Sequence, residues 1–185
     1  MIYKFKIVSD EVERFFREIE IDSEANFLQL RNAILDSVNY TRDDLSSFFI
    51  CDDDWTMRKE ITLSDMGSDS DEDVWLMEDT RIDELVEDEG QHLMFVFDYL
   101  TERCFYMELK EIITGKTLRD PLCTRKEGKA PAQKMSSLDF EEMVNKSSKK
   151  GNSKLEDDLD ISFYGESAYN EDELSEGFDS IDEMN

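Results

Sequence analysis

The spacing of apolar residues changes period once, early in the chain, and that change constrains the fold more than any other feature. From Ile2 to Val8, Tyr3, Phe5 and Ile7 alternate with Lys4 and Lys6, the period of two that gives a strand one apolar and one solvated face. Ser9, Asp10 and Glu11 break the pattern, and Phe15 to Ile21 then forms a second strand. So short an interruption favours antiparallel pairing, a β-hairpin. At Asn26 the period lengthens, because Phe27, Leu30, Ile34 and Val38 recur at intervals of three and four and share one stripe of a helix. Asn26 can accept from a free amide at the helix start, Gln29 completes a capping box, and Asn39 suits the left-handed exit. The spacing predicts a helix over 26–38.

Further along, Ser46 to Cys51 predicts a strand ending at Asp52, Asp53 and Asp54, and Trp55 to Leu63 a further strand or irregular edge. Ser64 to Asp73 is short, polar and charged, an exposed loop. Val74 to Met77 is a short strand, and Thr80 is placed to N-cap a brief helix that turns Ile82, Leu85 and Val86 inward. Leu93 to Tyr99 is nearly all apolar, as a central strand buried on both faces requires. With Cys104 to Ile113 it predicts a hairpin at the heart of the sheet. The expected fold is α+β, a mixed β-sheet packed on one main helix and opening β-β-α. A ubiquitin-like, β-grasp-like layout is the closest simple arrangement.

That domain is expected over 1–113. Residues 114–135 lose periodicity, hold both prolines, Pro121 and Pro131, and are expected to form a basic, Pro- and Gly-containing extension able to lie back across the acidic domain. From 136 to 185 the composition becomes Ser-, Lys- and then Asp/Glu-rich, too poor in apolar residues to offset the entropy of ordering, and a disordered acidic tail is expected.

Charge excludes whole classes of partner. Asp and Glu outnumber Lys and Arg by 47 to 21, a formal charge of −26 on 185 residues. Residues 136–185 carry 15 acids and 4 lysines, so the preceding residues still hold −15. Such a surface repels a phosphate backbone and an anionic membrane, so neither nucleic acid nor membrane is an expected partner. MIYKFKIVSD lacks the apolar run of a signal peptide, and no segment approaches a membrane span. Cys51, Cys104 and Cys123 suggest neither a disulfide framework nor a CxxC pair, so a reducing cytoplasm is the expected location.

Candidate chemistry is sparse. His92 is the single histidine, which removes a His-based triad, a two-His metal site and a Cys2His2 finger, and its structural reading is a polar residue entering a strand. Cys51 and Cys104 sit in apolar strand contexts, as buried inert thiols do. Asp69, Asp71 and Asp73 have the alternation of a calcium loop, but Val74 stands where Gly must permit the turn and Thr80 where Glu must close the site. Asp52, Asp53 and Asp54 are the remaining weak metal candidates, weighed against a solvated surface. No cofactor is expected. In the tail, Leu174, Phe178 and Ile181 fall on one helical face and follow Phe163, Tyr164 and Tyr169. Acidic segments with interspersed aromatics dock into apolar or basic grooves.

Four segments in order, FFREIEI at 15–21, LRNAILDSVNY at 30–40, LSSFFI at 45–50 and DYLTERCFYMELKEII at 98–113, carry a family likeness. Phe15, Arg17, Ile19 and Ile21 fit an IWRRIEV-like strand, and Leu30, Ile34 and Tyr40 an LHxxIQxxxGW-like helix end. Leu45, Phe48 and Ile50 fit a HLxxFxI-like strand, and Asp98, Tyr99, Glu108, Leu109, Glu111 and Ile112 a DFGDxWxHxIxLEEI-like hairpin. The chain thereby resembles the plasmid pRiA4b ORF-three-like family over roughly residues 1–131, with PLCTRKEGKAP at 121–131 similar to that family's cysteine-and-glycine segment. Departures are Arg31, Asp44 and Phe105 where the family often has His, Leu100 for a turn Gly, and Arg103 for a Trp. A later cysteine and a PPED-like run are missing. An activity carried by those positions in relatives would be lost or altered here.

The resemblance brings a transposon- or resolvase-related label, which the acidic sequence weakens, since no basic helix or Arg cluster is visible. Two function classes follow. One is a non-catalytic intracellular protein-interaction module whose acidic-aromatic tail binds a partner with a basic or apolar surface. The other is a mobile-element-related or metal-assisted enzyme relying on Asp52, Asp53 and Asp54.

Overall fold

The computed structural model describes residues 1–64 and 74–134. The opening is the expected β-β-α. Strand β1 (Ile2–Val8) pairs antiparallel with β2 (Phe16–Asp22), Phe5 opposite Ile19, and helix α1 (Phe27–Val38) follows. Both halves of the capping box form: the Gln29 amide donates to the Asn26 side chain at 2.9 Å, and the Asn26 amide donates to the Gln29 side chain at 3.1 Å. Asn39 takes the left-handed conformation (φ 59°) at the other end.

Strands β3 (Ser47–Cys51), β4 (Met57–Thr62), β5 (Trp75–Leu76), β6 (His92–Asp98), β7 (Arg103–Ile113) and β8 (Leu122–Glu127) complete one eight-stranded sheet of order β5-β4-β3-β6-β7-β1-β2-β8. The β6–β7 hairpin lies at its centre, as expected, and Leu93 through Phe97 are all buried. The sheet is mixed through β5 alone among the described strands, parallel to β4. The ubiquitin-like likeness is limited to the β-β-α opening: β1 runs antiparallel to both neighbours, β2 and β7, inside a much wider sheet.

The main core lies between α1 and one face of this sheet. Leu30 and Ile34 of the helix join Phe5, Ile19, Phe95 and Phe105 there, all fully buried. Phe97 and Phe105 meet with ring centroids 4.6 Å apart, and Phe105 stacks on Phe15 at 5.0 Å. A smaller cluster on other side chains, Cys51, Met94, Val96 and Cys104, is flanked by Phe49, Trp55 and Tyr106.

Two local expectations need correction. Ile82–Glu84 is a single 3-10 turn rather than a brief α-helix, and Arg81, without a side-chain capping bond, sits at its cap position instead of Thr80. Thr80 is buried, and its carbonyl accepts the Phe27 amide at 3.1 Å while the Met77 carbonyl accepts that of Leu28 at 2.9 Å. The segment 77–80 thus satisfies the open amides of α1 and is not free to begin a helix of its own. The second correction lies in 114–135. Within this aperiodic stretch, β8 pairs with β2 along Phe16↔Glu127 to Glu20↔Leu122 and closes the sheet edge. Thr124 to Glu127 are exposed, so no apolar alternation advertises the strand; its backbone pairing with β2 defines it. Pro121 precedes it, a position where a missing amide costs no ladder bond.

Candidate functional site

Arginine occupies three positions that the apolar period reserves for the core. In β2, Arg17 is in phase with Ile19 and Ile21; in β7, Arg103 is in phase with Phe105 and Met107; in α1, Arg31 lies on the stripe of Phe27 and Ile34. All three are buried. A buried cation is costly unless hydrogen-bonded or paired, and the three are accommodated differently.

Arg31 donates from Nε to the Ser46 hydroxyl at 2.6 Å and from Nη2 to the carbonyls of Arg42 and Asp44, both at 2.9 Å, which fastens α1 to the loop before β3. Arg103 makes a fork on Glu11, with Nε–O distances of 2.9 and 3.0 Å and Nη2–O of 2.8 Å, and donates to the Ala132 carbonyl at 2.6 Å. Its charge is neutralised. Arg17 has only carbonyls: Ser37 at 3.3 Å, Phe16 at 2.7 Å, Glu127 at 2.5 Å and Gly128 at 3.2 Å. Among the described residues no carboxylate pairs with it, and its guanidinium lies over the Phe15 ring at 4.5 Å.

These bonds clamp 128–133 into a strap that crosses from β8 to the end of α1. Tyr40 donates to the Pro131 carbonyl at 2.7 Å, and Gln133 bridges Thr41 and Asp44 through its amide nitrogen at 2.9 and 3.0 Å. Burial drives the Tyr40 phenol well above its usual range, so it stays a protonated donor. At the root of the strap, Gly128 adopts φ +66°, and a Cβ there would lie 2.9 Å from the Arg14 carbonyl carbon and 3.2 Å from the Phe15 Cα. No side chain fits.

Between strap and helix end lies a groove of about 640 Å³. Val12, Val38, Tyr40, Ala130 and Pro131 supply its apolar wall. Its charged lining residues are Arg17, Lys126 and Lys129, all cationic. Sequence reasoning missed this groove. The signal that could have found it is an arginine in the inward phase of a strand otherwise apolar there.

The residues singled out from sequence are placed elsewhere. Asp52, Asp53 and Asp54 form the turn between β3 and β4, where the Trp55 amide donates to the Asp52 carbonyl at 2.9 Å. Asp52 is paired with Arg58 through Nε at 2.6 Å, and Asp54 accepts the Thr56 amide at 3.1 Å. Among the described residues no three His, Cys, Asp or Glu side chains are grouped to hold a metal. His92 begins β6, stacked on Trp55 at 4.1 Å with an interplanar angle of 6°, and Tyr106 meets Trp55 edge-on at 5.0 Å. Burial pushes the Cys104 thiol up to about 11 and raises that of Cys51, so both are protonated at neutral pH. Phe163, Tyr164, Tyr169, Leu174, Phe178 and Ile181, like the Asp69–Asp73 stretch, lie outside the described residues. No described helix is long and apolar enough to cross a membrane.

Fold and groove together define an α+β domain on one wide mixed sheet, with α1, the one long helix among the described residues, clasped by a strap from the edge strand. The chain belongs to the plasmid pRiA4b ORF-3-like protein family, whose model matches residues 1–176. The family match therefore runs past residue 131, where the sequence motifs end. It takes in Phe163, Tyr164, Tyr169 and Leu174 and stops short of Phe178 and Ile181. Among solved structures, the chain is similar to the crystal structure of MM3350, a protein of unknown function from Methanosarcina mazei Go1, with 17% identity, 84% of each chain covered and a TM-score of 0.56. At that identity the likeness shows the fold alone. No curated protein matches the chain.

Proposed function

We propose that this chain is a non-catalytic intracellular protein-interaction module, and that its groove receives a peptide segment of a partner protein. The observation carrying this reading is the strap. Residues 128–133 are held at both ends by Arg17, Arg103, Tyr40 and Gln133, so the groove is rigid before anything enters it, which limits the ordering cost of binding. Its wall is apolar with a few convergent polar groups, the usual character of a binding cleft. The excess of carboxylates supports a protein partner over nucleic acid. The acidic-aromatic tail is a second docking segment within the same reading, for a basic or apolar surface; its support is the residue pattern from Phe163 to Ile181.

Peptides selected from a random library on the full-length chain test the groove. Titrated into isotopically labelled protein, they are expected to shift the amide resonances of Val12, Asn39, Tyr40, Ala130 and Ala132. Failure to enrich any peptide, or shifts confined to the Trp55–His92 side, would overturn the assignment.

A further inference from the structure

The charge of the groove is out of keeping with the molecule around it. Through Met135 the chain carries −15, yet every charged residue lining the groove is a cation. Nearby carboxylates are already engaged: Glu11 with Arg103, Glu127 with Arg125 and Asp44 with Lys134. Among the described residues, Lys126 and Lys129 make no ion pair, and both are exposed on the rim.

Arg17 makes the anomaly more specific. A guanidinium has five N–H donors, and four of those on Arg17 go to carbonyl oxygens. Carbonyl dipoles solvate the cation without cancelling its charge. At 2% exposure it is screened by little water, so its field acts in the groove at an effective dielectric well below that of the solvent. It is also tied in place, packed on Phe15 and bonded to both β8 and α1. A guanidinium held beside the groove and paired with no carboxylate among the described residues favours an anion there, and lysines on the rim draw such a group in.

Resting on the reading of the groove as a peptide site, we infer that its occupant is an acidic segment of a partner protein that also carries an apolar or aromatic side chain. The carboxylates meet Lys126, Lys129 and the field of Arg17, while the apolar side chain lies against Val12, Tyr40 and Pro131. A long polyanion is disfavoured by the acidic surface beyond the groove; a short acidic stretch is not.

The probe is a fluorescein-labelled peptide of sequence Glu-Asp-Phe-Asp-Glu-Leu, added to the full-length chain and followed by anisotropy. Two comparators are used, one with every acid replaced by Lys and one with Phe and Leu replaced by Ser. The acidic probe is expected to bind at least about tenfold more tightly than either, and its affinity to fall as salt shortens the Debye length. The double variant Lys126→Glu, Lys129→Glu alters only exposed side chains, and circular dichroism verifies its fold. It is expected to weaken the probe about tenfold or more. Arg17→Lys is informative where it folds; the rim variant decides the matter where it does not. Equal or tighter binding of the Lys comparator, or an unchanged affinity in the rim variant, overturns the inference. Library peptides that reach the groove but prove neutral or basic would sink the acidic occupant while leaving the groove as a peptide site; no groove ligand of any charge would sink both.

Discussion

Gly128 is a single residue on which the strap depends, because its positive φ and its approach to the backbone of Arg14 and Phe15 coincide. Gly128→Ala must both strain the backbone and push two backbones apart, a combined cost of about 2–3 kcal/mol. Gly90 has φ +89° with open space where a Cβ would stand, so Gly90→Ala carries the conformational cost alone, about 1 kcal/mol. Urea denaturation of both variants measures the difference, and equal losses would show that the close approach at Gly128 is relaxed in solution. At this scale the sequence carries a signal for the groove that the apolar pattern alone did not bring out. The three buried arginines stand out as cations in apolar phase, but which of them finds a carboxylate depends on Glu11, distant in sequence from Arg103, and periodicity carries no such information.

Elements were legible where one face is dry. The first hairpin, α1 with both caps, and β6 with its five consecutive buried residues all show their burial as pattern. β8 does not, since an edge strand with four exposed residues in succession pairs with β2 mainly through main-chain bonds, which leave no apolar pattern in its sequence. The 3-10 turn at 82–84 was misjudged for a related reason, because the role of Thr80 is set by the α1 amides it serves. The approach to β8 is tied at Asp22, whose carboxylate accepts the amides of Leu118 and Glu24, both at 3.1 Å. Burial works against its charge, but these bonds and the nearby terminal ammonium outweigh it and hold the group below the ordinary carboxylate range. Its stabilising contribution is therefore complete above the unfolded value of about 4 and is lost as pH falls through the lower folded value. Acid titration of the melting temperature checks this: Asp22→Asn should be less stable than the parent at neutral pH and converge with it in strong acid.

For the molecule as a whole, two electrostatic effects oppose each other. On the solvated face of β1, Lys4 lies between Glu20 at 3.2 Å and Glu111 at 3.0 Å, and Lys6 meets Glu108 at 3.4 Å. Partly exposed pairs of this kind are worth about 0–1 kcal/mol each, and salt weakens them. Against them stands the mutual repulsion of a −26 chain, which salt relieves over distances beyond about 10 Å. Residues 1–135 hold −15 of that charge, and repulsion among their excess carboxylates is expected to outweigh the exposed pairs: the melting temperature should rise between about 0.02 and 0.5 M sodium chloride. A fall would mean that the Lys4 and Lys6 ladder outweighs the global term.

The position of β1, inside the sheet between β7 and β2 rather than at its rim, governs how the chain can be made. Its partner on one side, β2, leaves the ribosome almost at once; on the other side Ile2 must wait for Ile113. Until β7 emerges, the nascent hairpin has an unfilled flank, and final closure spans nearly the full domain. Such distant pairing slows folding, and an unfilled strand edge is the surface by which incomplete chains stick to one another. Translation of this protein therefore has a vulnerable interval, set by topology, between the appearance of its first strand and its seventh.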